Sequence, residues 1–362
     1  MQVRRRGRRR SRGRRPVPRI AGALAALVLL TSGVGHAMVT SAEHNVRRVD
    51  PFSGLRDRPD AGSGLNILLI GTDSRDGLSA DERAKYHVGD ASCRCADAVL
   101  LLHVSESRER ATVVSLPRDS YAELPEHTFA PDDSHHTPHA DKLNAALSHG
   151  GPPLMVNTVE DLTGLRVDHY LEVSFVSFMR AVDEIGGVEI CAKRPLKDPY
   201  SGLDLPAGTS TLDGPTALAY VRARHLDGTS DLDRMERQQR FLAAFLKEAV
   251  STGVLLNPAQ VSTTADALLD SVRADPGFGA EQMLQLAGLM RHFTTDGAHF
   301  TSVPVKDPSH HVPGLGSTVR WNEQEATRLF DSLRTDTPLP EPPPTTPHSE
   351  AQPPKSADEF AC

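Results

Sequence analysis

The sequence predicts an α/β (α+β) domain in which a mixed central β-sheet is flanked by helices, preceded by one N-terminal transmembrane helix. Short apolar runs rich in β-branched residues, which are typical of strands, alternate with segments of helical periodicity. Hydrophobic residues make up 38% and charged residues 24% of the 362 residues, which fits a core-forming protein and excludes a wholly disordered one.

The predicted elements alternate along residues 66–293. The predicted strands are 66–70, 98–104, 112–116, 169–173, 187–191 and 218–222. The predicted helices are 152–162, 175–185, 231–250, 258–272 and 279–293. Residues 41–64 are expected to be a spacer and the Pro-rich residues 336–362 a disordered tail, so the folded, extracytoplasmic domain is placed at 65–335.

The N-terminus indicates where the protein resides. Residues 1–19 contain ten arginines and no acidic residue, and residues 20–40 contain no charged residue and are long enough to cross a bilayer. The positive-inside rule then places residues 1–19 in the cytoplasm and the remaining chain outside the cell membrane, as a single-pass protein. Two alternatives stay open, a signal peptide cleaved near residues 35–37 and a nucleic-acid-binding arm.

The charge of the remaining chain argues against a nucleic-acid-binding body. The whole chain has a net charge of −7, and beyond residue 19 it carries 30 basic and 47 acidic residues, a net charge of −17. A nucleic-acid-binding domain would be expected to show a basic footprint instead.

The four cysteines are too few for a disulfide-built miniature scaffold, and they lack the Cys-x-x-Cys spacing of zinc and thioredoxin-like sites. In an oxidising compartment we expect a disulfide between Cys191 and either Cys93 or Cys95, with Cys362 left over.

Charged residues are predicted to converge at one edge of the sheet. Strand 66–70 leads directly to Asp73, and strands 98–104 and 112–116 form a predicted hairpin with Asp97 just before it and Arg118 just after it. If strand 66–70 runs parallel to 112–116, all three side chains meet at this edge. Paired carboxylates can hold Mg²⁺ through oxygen, and Arg matches phosphate; the alternative is that both aspartates only cap turns.

A second cluster follows the predicted strand 218–222. Arg222 and Arg224 would lie on the same face of that strand and would bind an anion between them. Asp231, Arg234 and Gln238 share one face of the predicted helix 231–250, whose N-terminus favours pyrophosphate. A solvated, salt-bridged helix surface is the alternative.

Other motifs add less. Lys142 offers one more cation near a loop, and the His-rich segment 132–139 is interpreted as solvated and left out of the site. The sequence has no Gly-x-Ser-x-Gly, Walker A or His-Glu-x-x-His motif, so α/β-hydrolase, P-loop and zincin chemistry lack support.

Six ordered segments resemble the LytR-CpsA-Psr family, in its actinobacterial type. They are NILLIGTDSR (66–75), ADAVLLLHV (96–104), VVSLPRDS (113–120), DKLNAAL (141–147), the segment 168–190 and the segment 202–242. The resemblance implies a phosphotransferase that moves a glycopolymer from a polyprenyl pyrophosphate carrier to a hydroxyl of peptidoglycan, or of arabinogalactan-peptidoglycan. It also implies an apolar tunnel for the prenyl chain, with Leu154, Val159, Leu162, Phe175, Phe178, Leu242 and Phe245 as candidate lining or plain core.

The resemblance assigns roles by matching motifs. Asp73 and Asp97 would hold Mg²⁺, with Mn²⁺ as an alternative ion. Arg118, Arg222, Arg224, Arg234 and Gln238 would grip the pyrophosphate, Lys142 would lie near the phosphates, and Asp231 would position Arg224 or Arg234. The catalytic set implied is therefore Asp73, Asp97, Arg118, Arg222, Arg224 and Asp231.

One departure from the family pattern bears on activity. The family usually has Arg-Ser-Asp before its second strand, and this chain has Cys95-Ala96-Asp97. Either Arg94 or Arg75 would substitute for the lost arginine, or a disulfide would fix the insertion-like residues 78–93 and reshape the site. The departure leaves open a non-catalytic polyprenyl-phosphate or cell-wall-binding protein, and a pyrophosphate hydrolase is a variant of the transferase. The Arg-rich residues 1–19 suggest a further alternative, a membrane-tethered transcriptional regulator.

Overall fold

The computed structural model describes residues 47–75, 78–89, 95–226, 231–251, 272–279, 282, 297–340 and 355–356. The Arg-rich segment 1–19, the apolar segment 20–40, residues 41–46 and most of the predicted helices 258–272 and 279–293 lie outside these ranges. Within the described ranges, no helix combines the length and the hydropathy that a membrane span requires.

Eight strands form the central sheet. They are β1 (Arg47–Arg48), β2 (Leu65–Thr72), β3 (Ala96–Val104), β4 (Ala111–Leu116), β9 (His169–Ser174), β14 (Val272–Ala274), β15 (Ala298–Ser302) and β18 (Lys355–Ser356). Their order is β1-β14-β9-β2-β3-β4-β15-β18. Because β2 pairs parallel with β9 and β4 parallel with β15, whereas β3 is antiparallel to both of its neighbours, the sheet is mixed as predicted.

The remaining strands form two-stranded pairs. They are β5 (Tyr121–Leu124) with β8 (His139–Lys142), β6 (His127–Phe129) with β7 (Ser134–His136), β10 (Val188–Ala192) with β13 (Gly208–Leu212), β11 (Leu196–Asp198) with β12 (Leu203–Leu205), and β16 (Val305–Val312) with β17 (Gly316–Trp321). The predicted strand 187–191 is therefore a strand, but it belongs to one of these pairs and not to the central sheet.

Helices cover both faces of the sheet. They are α1 (Ala80–Lys85), α2 (Ala145–Thr163), α3 (Phe175–Glu184), α4 (Gly214–Arg222), α5 (Asp231–Ser251) and α6 (Glu323–Arg334). Leu68 and Ile70 of β2 belong to the buried cluster that includes residues of α2 and α6. Val113 of β4 packs in another cluster with Ala243 of α5. The alternation of side chains along each strand thus supplies two apolar faces, and the prediction of a sheet flanked by helices is confirmed.

Local sequence explains where several helices begin and end. The side chains of Ser174, Asp213 and Asn322 accept the backbone amide three residues later and cap α3, α4 and α6. Gly164 ends α2 with φ of 64°, a conformation that glycine adopts without strain. Within α2, Gly151 has non-helical angles, so the continuous helical part begins near the predicted start at residue 152.

The prediction of a strand at 218–222 is wrong, because these residues form the C-terminal half of α4. Asp213 caps this helix and Pro215 occupies its first turn, a combination that starts helices. The alanines at 217 and 219 also favour a helix. The argument that placed Arg222 and Arg224 on one strand face is therefore wrong as well.

The expected spacer, residues 41–64, and the expected disordered tail, residues 336–362, both contain residues that contact the domain. Val49 is buried at the sheet, and the Arg58 Nη2 atom lies 2.6 Å from Oε1 of the buried Glu160, so residues 47–64 pack against the domain instead of forming a free spacer. In the Pro-rich tail, Lys355 and Ser356 pair with β15, so these two residues are ordered against expectation.

Candidate active site

Three strand ends bring the first cluster together as predicted. Asp73 follows β2, Asp97 is the second residue of β3, and Arg118 lies two residues beyond β4. Since β2 and β4 are both antiparallel to β3, the C-terminal ends of β2 and β4 meet the start of β3 at one edge. Nη1 of Arg118 donates to Oδ1 of Asp97 at 2.5 Å, which ties the guanidinium to the carboxylate.

Asp73 is a buried carboxylate that is only partly satisfied. Its Oδ2 atom accepts a hydrogen bond from Arg75 at 3.0 Å, whereas its buried Oδ1 atom has no hydrogen-bond partner among the described residues. Burial raises the pKa of Asp73, the charge of Asp97 raises it further, and Arg75 opposes both. An oxygen-preferring cation beside Asp73 and Asp97 would satisfy the orphaned oxygen and relieve the repulsion, so these residues fit Mg²⁺ or Mn²⁺.

Arg222 and Arg224 lie beside Asp73 and Asp97, but the end of a helix positions them instead of the predicted strand. Arg222 ends α4, donates to the carbonyl of His87 at 3.1 Å, and lies over the ring of Phe175 at 5.1 Å. Arg224 follows in the extended segment after the helix, and its Nη2 atom lies 3.9 Å from Oδ1 of Asp97. Both side chains line one polar pocket with Asp73 and Asp97.

Helix α5 contributes Arg234 and Gln238 to this pocket, in agreement with the prediction that both side chains lie on one face of this helix. Arg234 is buried, and the Nε2 atom of Gln238 donates to the carbonyl of Val221 at 3.4 Å. The side chain of Asp231 and residues 227–230 lie outside the described parts of the chain, while α5 begins at Asp231 as predicted.

Lys142 is close to the pocket but does not line it. Its Nζ atom lies 3.4 Å from one carboxylate oxygen of Asp119, and the other oxygen of Asp119 lies 3.4 Å from Nε of Arg118. Asp119 therefore connects the two cations. The prediction had passed over this residue, although its position directly after Arg118 was a usable signal.

Asp198 is a second residue that sequence reasoning missed. Its side chain is only 1% exposed and accepts the backbone amides of Tyr200 at 3.0 Å, Arg224 at 2.7 Å and His225 at 3.3 Å. Burial would raise the pKa of Asp198, but these amide hydrogen bonds outweigh burial and lower it. Asp198 thus holds the segment that carries Arg224, and it comes from β11, 26 residues earlier, where no local pattern indicated it.

The polar pocket, which we call the edge pocket, has a volume of about 410 Å³. Among the described residues, its lining consists of Asp73, Asp97, Arg118, Asp198, Tyr200, Ser201, Val221, Arg222, Arg224, His225, Arg234 and Gln238. Four arginines stand against three aspartates, so the lining favours an anionic ligand.

A second, largely apolar cavity of about 310 Å³ adjoins the edge pocket, and both are lined by Asp97, Val221, Arg222 and Gln238. One face of α5 runs from Arg234 and Gln238 in the edge pocket to Phe241 and Phe245 in the apolar cavity. Of the candidate tunnel residues, Phe175, Phe178, Leu242 and Phe245 line this cavity. Leu154 and Val159 are buried core, and Leu162 packs beside that core, all on α2.

The departure at Cys95-Ala96-Asp97 is accompanied by a nearby arginine. Arg75 lies at the edge pocket on Asp73, where it supplies a guanidinium, while Arg94 and Cys93 fall outside the described residues. Cys95 and Cys191 are both disulfide-bonded, which agrees with the expectation of a disulfide at Cys191.

The chain is similar to known proteins over most of its length. The model of the LytR-CpsA-Psr family matches residues 31–334. The "Probable cell wall biosynthesis protein LcpB" of Corynebacterium glutamicum is 35% identical over 316 residues, which are 87% of this chain and 70% of that protein. The "Polyisoprenyl-teichoic acid--peptidoglycan teichoic acid transferase TagT" of Bacillus subtilis is 30% identical over 254 residues, 64% of this chain and 70% of that protein.

The fold also has solved counterparts. The crystal structure of protein gbs0355 from Streptococcus agalactiae aligns with a TM-score of 0.62 at 19% identity and covers 82% of this chain and 94% of that one. This likeness shows that the mixed sheet with flanking helices is a known architecture.

Proposed function

The chain belongs to the LytR-CpsA-Psr family, and from this premise we propose that it is a membrane-anchored phosphotransferase of cell-wall assembly. It moves a glycopolymer from a polyprenyl pyrophosphate carrier to a hydroxyl of peptidoglycan or arabinogalactan-peptidoglycan. The observation that carries the proposal is the continuity of the arginine-lined edge pocket with the apolar cavity.

The two cavities match the two ends of such a substrate. A polyprenyl pyrophosphate has a highly charged head and a long apolar chain. Arg118, Arg222, Arg224 and Arg234 supply planar guanidinium donors for the phosphate oxygens. The rings of Phe178, Phe241 and Phe245 supply an apolar surface, so moving the prenyl chain from water into this cavity lowers the free energy.

The carboxylates fit a cation at the same point. Asp73 and Asp97 would hold Mg²⁺ or Mn²⁺, since Oδ1 of Asp73 is buried and lacks a partner among the described residues. When bound, the ion supplies positive charge that neutralises the pyrophosphate.

Transfer requires one P–O bond to form and one to break. A hydroxyl oxygen of the acceptor attacks the sugar-side phosphorus, the bond to the bridging oxygen breaks, and polyprenyl phosphate leaves with the electron pair. The arginines of the edge pocket stabilise the charge that develops on the departing phosphate. A carboxylate of the pocket accepts the proton of the hydroxyl.

The N-terminal sequence supports the location of this reaction. Residues 20–40 would anchor the chain in the cell membrane, with residues 1–19 in the cytoplasm and the catalytic domain outside. The anchor would hold the apolar cavity close to the bilayer in which the lipid carrier resides.

The experiment uses the full chain in mild detergent with a polyprenyl pyrophosphate-linked glycopolymer, a peptidoglycan acceptor and Mg²⁺. Mass spectrometry would follow both polyprenyl phosphate and the new phosphodiester. We expect both products from the unchanged protein and neither from Asp97→Asn, with the exposed Asp204→Asn as a matched control.

Other outcomes distinguish the alternative functions. Tight binding of the lipid without either product would indicate a non-catalytic binding protein. Release of polyprenyl phosphate without the acceptor product would indicate a pyrophosphate hydrolase. Equal activity of Asp97→Asn and the unchanged protein would refute the assignment of the edge pocket.

A further inference from the structure

Four histidines from four separate elements lie together away from the edge pocket. His127 begins β6, His136 ends β7, His139 begins β8 and His149 lies in the first turns of α2. The ring of His127 lies 5.4 Å from those of His136 and His139 and 5.9 Å from that of His149, centroid to centroid. The sequence analysis interprets the segment 132–139 as solvated, but the fold brings two of its histidines, His136 and His139, together with His127 and His149 from outside it.

Hydrogen bonds fix the orientation of two of these rings. Nδ1 of His127 lies 2.7 Å from the carbonyl oxygen of Pro125, and Nδ1 of His139 lies 2.9 Å from that of Thr137. Because a carbonyl oxygen can only accept, Nδ1 of each ring carries the proton, and Nε2 keeps a free lone pair. Nε2 of His127 is buried and has no hydrogen-bond partner within the described chain.

His149 differs from these two rings, because one of its nitrogens lies near a carboxylate at a distance longer than a hydrogen bond. Its Nε2 atom faces Oδ2 of Asp141 at 3.9 Å, and its Nδ1 atom is buried without a hydrogen-bond partner among the described residues. A carboxylate behind one nitrogen of a histidine is the usual way in which proteins orient a metal-binding imidazole. Nε2 of His127 and Nδ1 of His149 are buried ring nitrogens that are costly to leave unsatisfied, so their presence points to a ligand.

The separations suit a metal ion after a small adjustment. One ring nitrogen from each of His127, His139 and His149 lies within 4.8 Å of the other two. Ligation at 2.0–2.1 Å in a tetrahedral site needs nitrogens about 3.3 Å apart. Small rotations of the half-buried side chains of His127 and His139 in short strands, and of His149 near the start of α2, can supply the difference.

His136 is held differently from the other three. Its ring stacks on Phe129 with centroids 4.8 Å apart, and its Nε2 atom contacts Oγ of Ser134 at 3.0 Å. It therefore forms a wall of the cluster and is not counted among its candidate ligands.

We propose that His127, His139 and His149 bind one divalent transition-metal ion of the zinc class, with Asp141 orienting His149. Three imidazoles and no carboxylate in the ligand set favour Zn²⁺, Ni²⁺ or Cu²⁺ over Mg²⁺. The ion would join β6, β8 and the start of α2, and this site neither uses nor depends on the edge pocket.

The test measures Zn²⁺ binding by the full chain, untagged and stripped of metal with a chelator. Competition with a chromophoric chelator would give the affinity, and Co²⁺ substitution would give the visible absorption that reports a tetrahedral nitrogen site. We expect one tight Zn²⁺ per chain. His149→Ala and His139→Ala should each weaken binding by at least about 100-fold, and Asp141→Asn by roughly 10-fold to 100-fold.

His135→Ala is the matched control, because His135 lies in the same hairpin but is exposed and pairs with Glu126. It should bind Zn²⁺ like the unchanged protein. Thermal melts separate binding from misfolding: Zn²⁺ should raise the Tm of the unchanged chain and of His135→Ala but not of His139→Ala, whose metal-free Tm should be unchanged. The proposal is overturned if the chain binds no stoichiometric Zn²⁺, or if His135→Ala loses as much affinity as the two ligand variants.

Discussion

The edge pocket and the histidine cluster both gather polar side chains from distant parts of the chain, but they differ in donor atoms and in charge. In the edge pocket, carboxylates already contact guanidinium groups, as in the 2.5 Å pair of Arg118 and Asp97. In the histidine cluster, hydrogen bonds to backbone carbonyls leave Nε2 of His127 and of His139 with a free lone pair, and one ring nitrogen of each of His127, His139 and His149 lies within 4.8 Å of the other two. The first arrangement suits an anion together with an oxygen-preferring cation, and the second suits a transition metal alone.

This difference shows that the side chains that a fold brings together determine which type of ligand it binds. Arginines surround Asp73 and Asp97 and make the pocket attractive to phosphate. Imidazoles bind a metal through a neutral ring nitrogen, so the histidine cluster contributes no charged ligand. We therefore expect the two regions to respond to different ions and to different variants.

The largest expected effect is at Asp97. Asp97→Asn removes the charge that pairs with Arg118 and Arg224 and faces Asp73, and it should lower kcat for transfer by about 1,000-fold. Zn²⁺ affinity should not change, because the histidine cluster lies elsewhere. Steady-state kinetics and Zn²⁺ titration of the same preparation check both statements, and a joint loss would show that the two regions are one unit.

The apolar cavity provides the next test of the comparison. Phe245→Asp places a carboxylate in this cavity and should weaken binding of a polyprenyl pyrophosphate by roughly 100-fold. The bound prenyl group would remove water from the new charge, which is costly. A water-soluble pyrophosphate donor without a prenyl chain serves as the control, and its KM should stay the same. Equal losses for both donors would contradict the assignment of the cavity to the lipid.

Asp198 tests the positioning of Arg224. Asp198→Asn keeps the size of the side chain. The two carboxylate oxygens of Asp198 accept three backbone amides, whereas Asn has only one oxygen that can accept. We expect a stability loss of about 1–3 kcal/mol, from denaturant unfolding, and about a 10-fold drop in kcat/KM. Asp204→Asn, which removes an exposed ion pair with Lys197, should cost at most about 0.5 kcal/mol.

The smallest effect concerns the pH dependence of stability at Asp73. Because the pKa of this acid is raised in the folded state, the folded protein holds the proton more tightly than the unfolded chain does. Stability is therefore lost as pH rises from the ordinary range of an aspartate through the folded pKa. With chelator present, Asp73→Asn should have a higher Tm than the unchanged protein at pH 7, and the difference in Tm should shrink as the pH is lowered. A difference in Tm that does not change with pH would contradict this account.

The residues of the edge pocket that lie at strand ends could be predicted from the sequence. The hairpin of β3 and β4 fixed Asp97 and Arg118 at one edge, and the direction of β2 added Asp73. Arg222 and Arg224 were assigned to the pocket correctly through a wrong local structure, since helix signals at Asp213 and Pro215 outweighed the apolar run. The apolar pattern of Phe178 and Phe245 is more typical of plain core than of a tunnel, and the structure places both residues at the wall of the apolar cavity.

Long-range placement explains the remaining omissions. Asp198 reaches the amide of Arg224 through β11, and nothing near residue 198 indicated that contact. The histidine cluster depends on the pairing of β6 with β7 and of β5 with β8, and on the position of α2. Spacing within 132–139 alone therefore gave no reason to connect it with His127 or His149.

The most direct test of the central claim is a crystal structure of the chain with a polyprenyl pyrophosphate and Mn²⁺, recorded at a wavelength where Mn²⁺ scatters anomalously. The account predicts an anomalous peak beside Oδ1 of Asp73 and Asp97, the pyrophosphate among Arg118, Arg222 and Arg224, and the prenyl chain along Phe178 and Phe245. A lipid bound outside the apolar cavity, or an anomalous peak away from both aspartates, would contradict it.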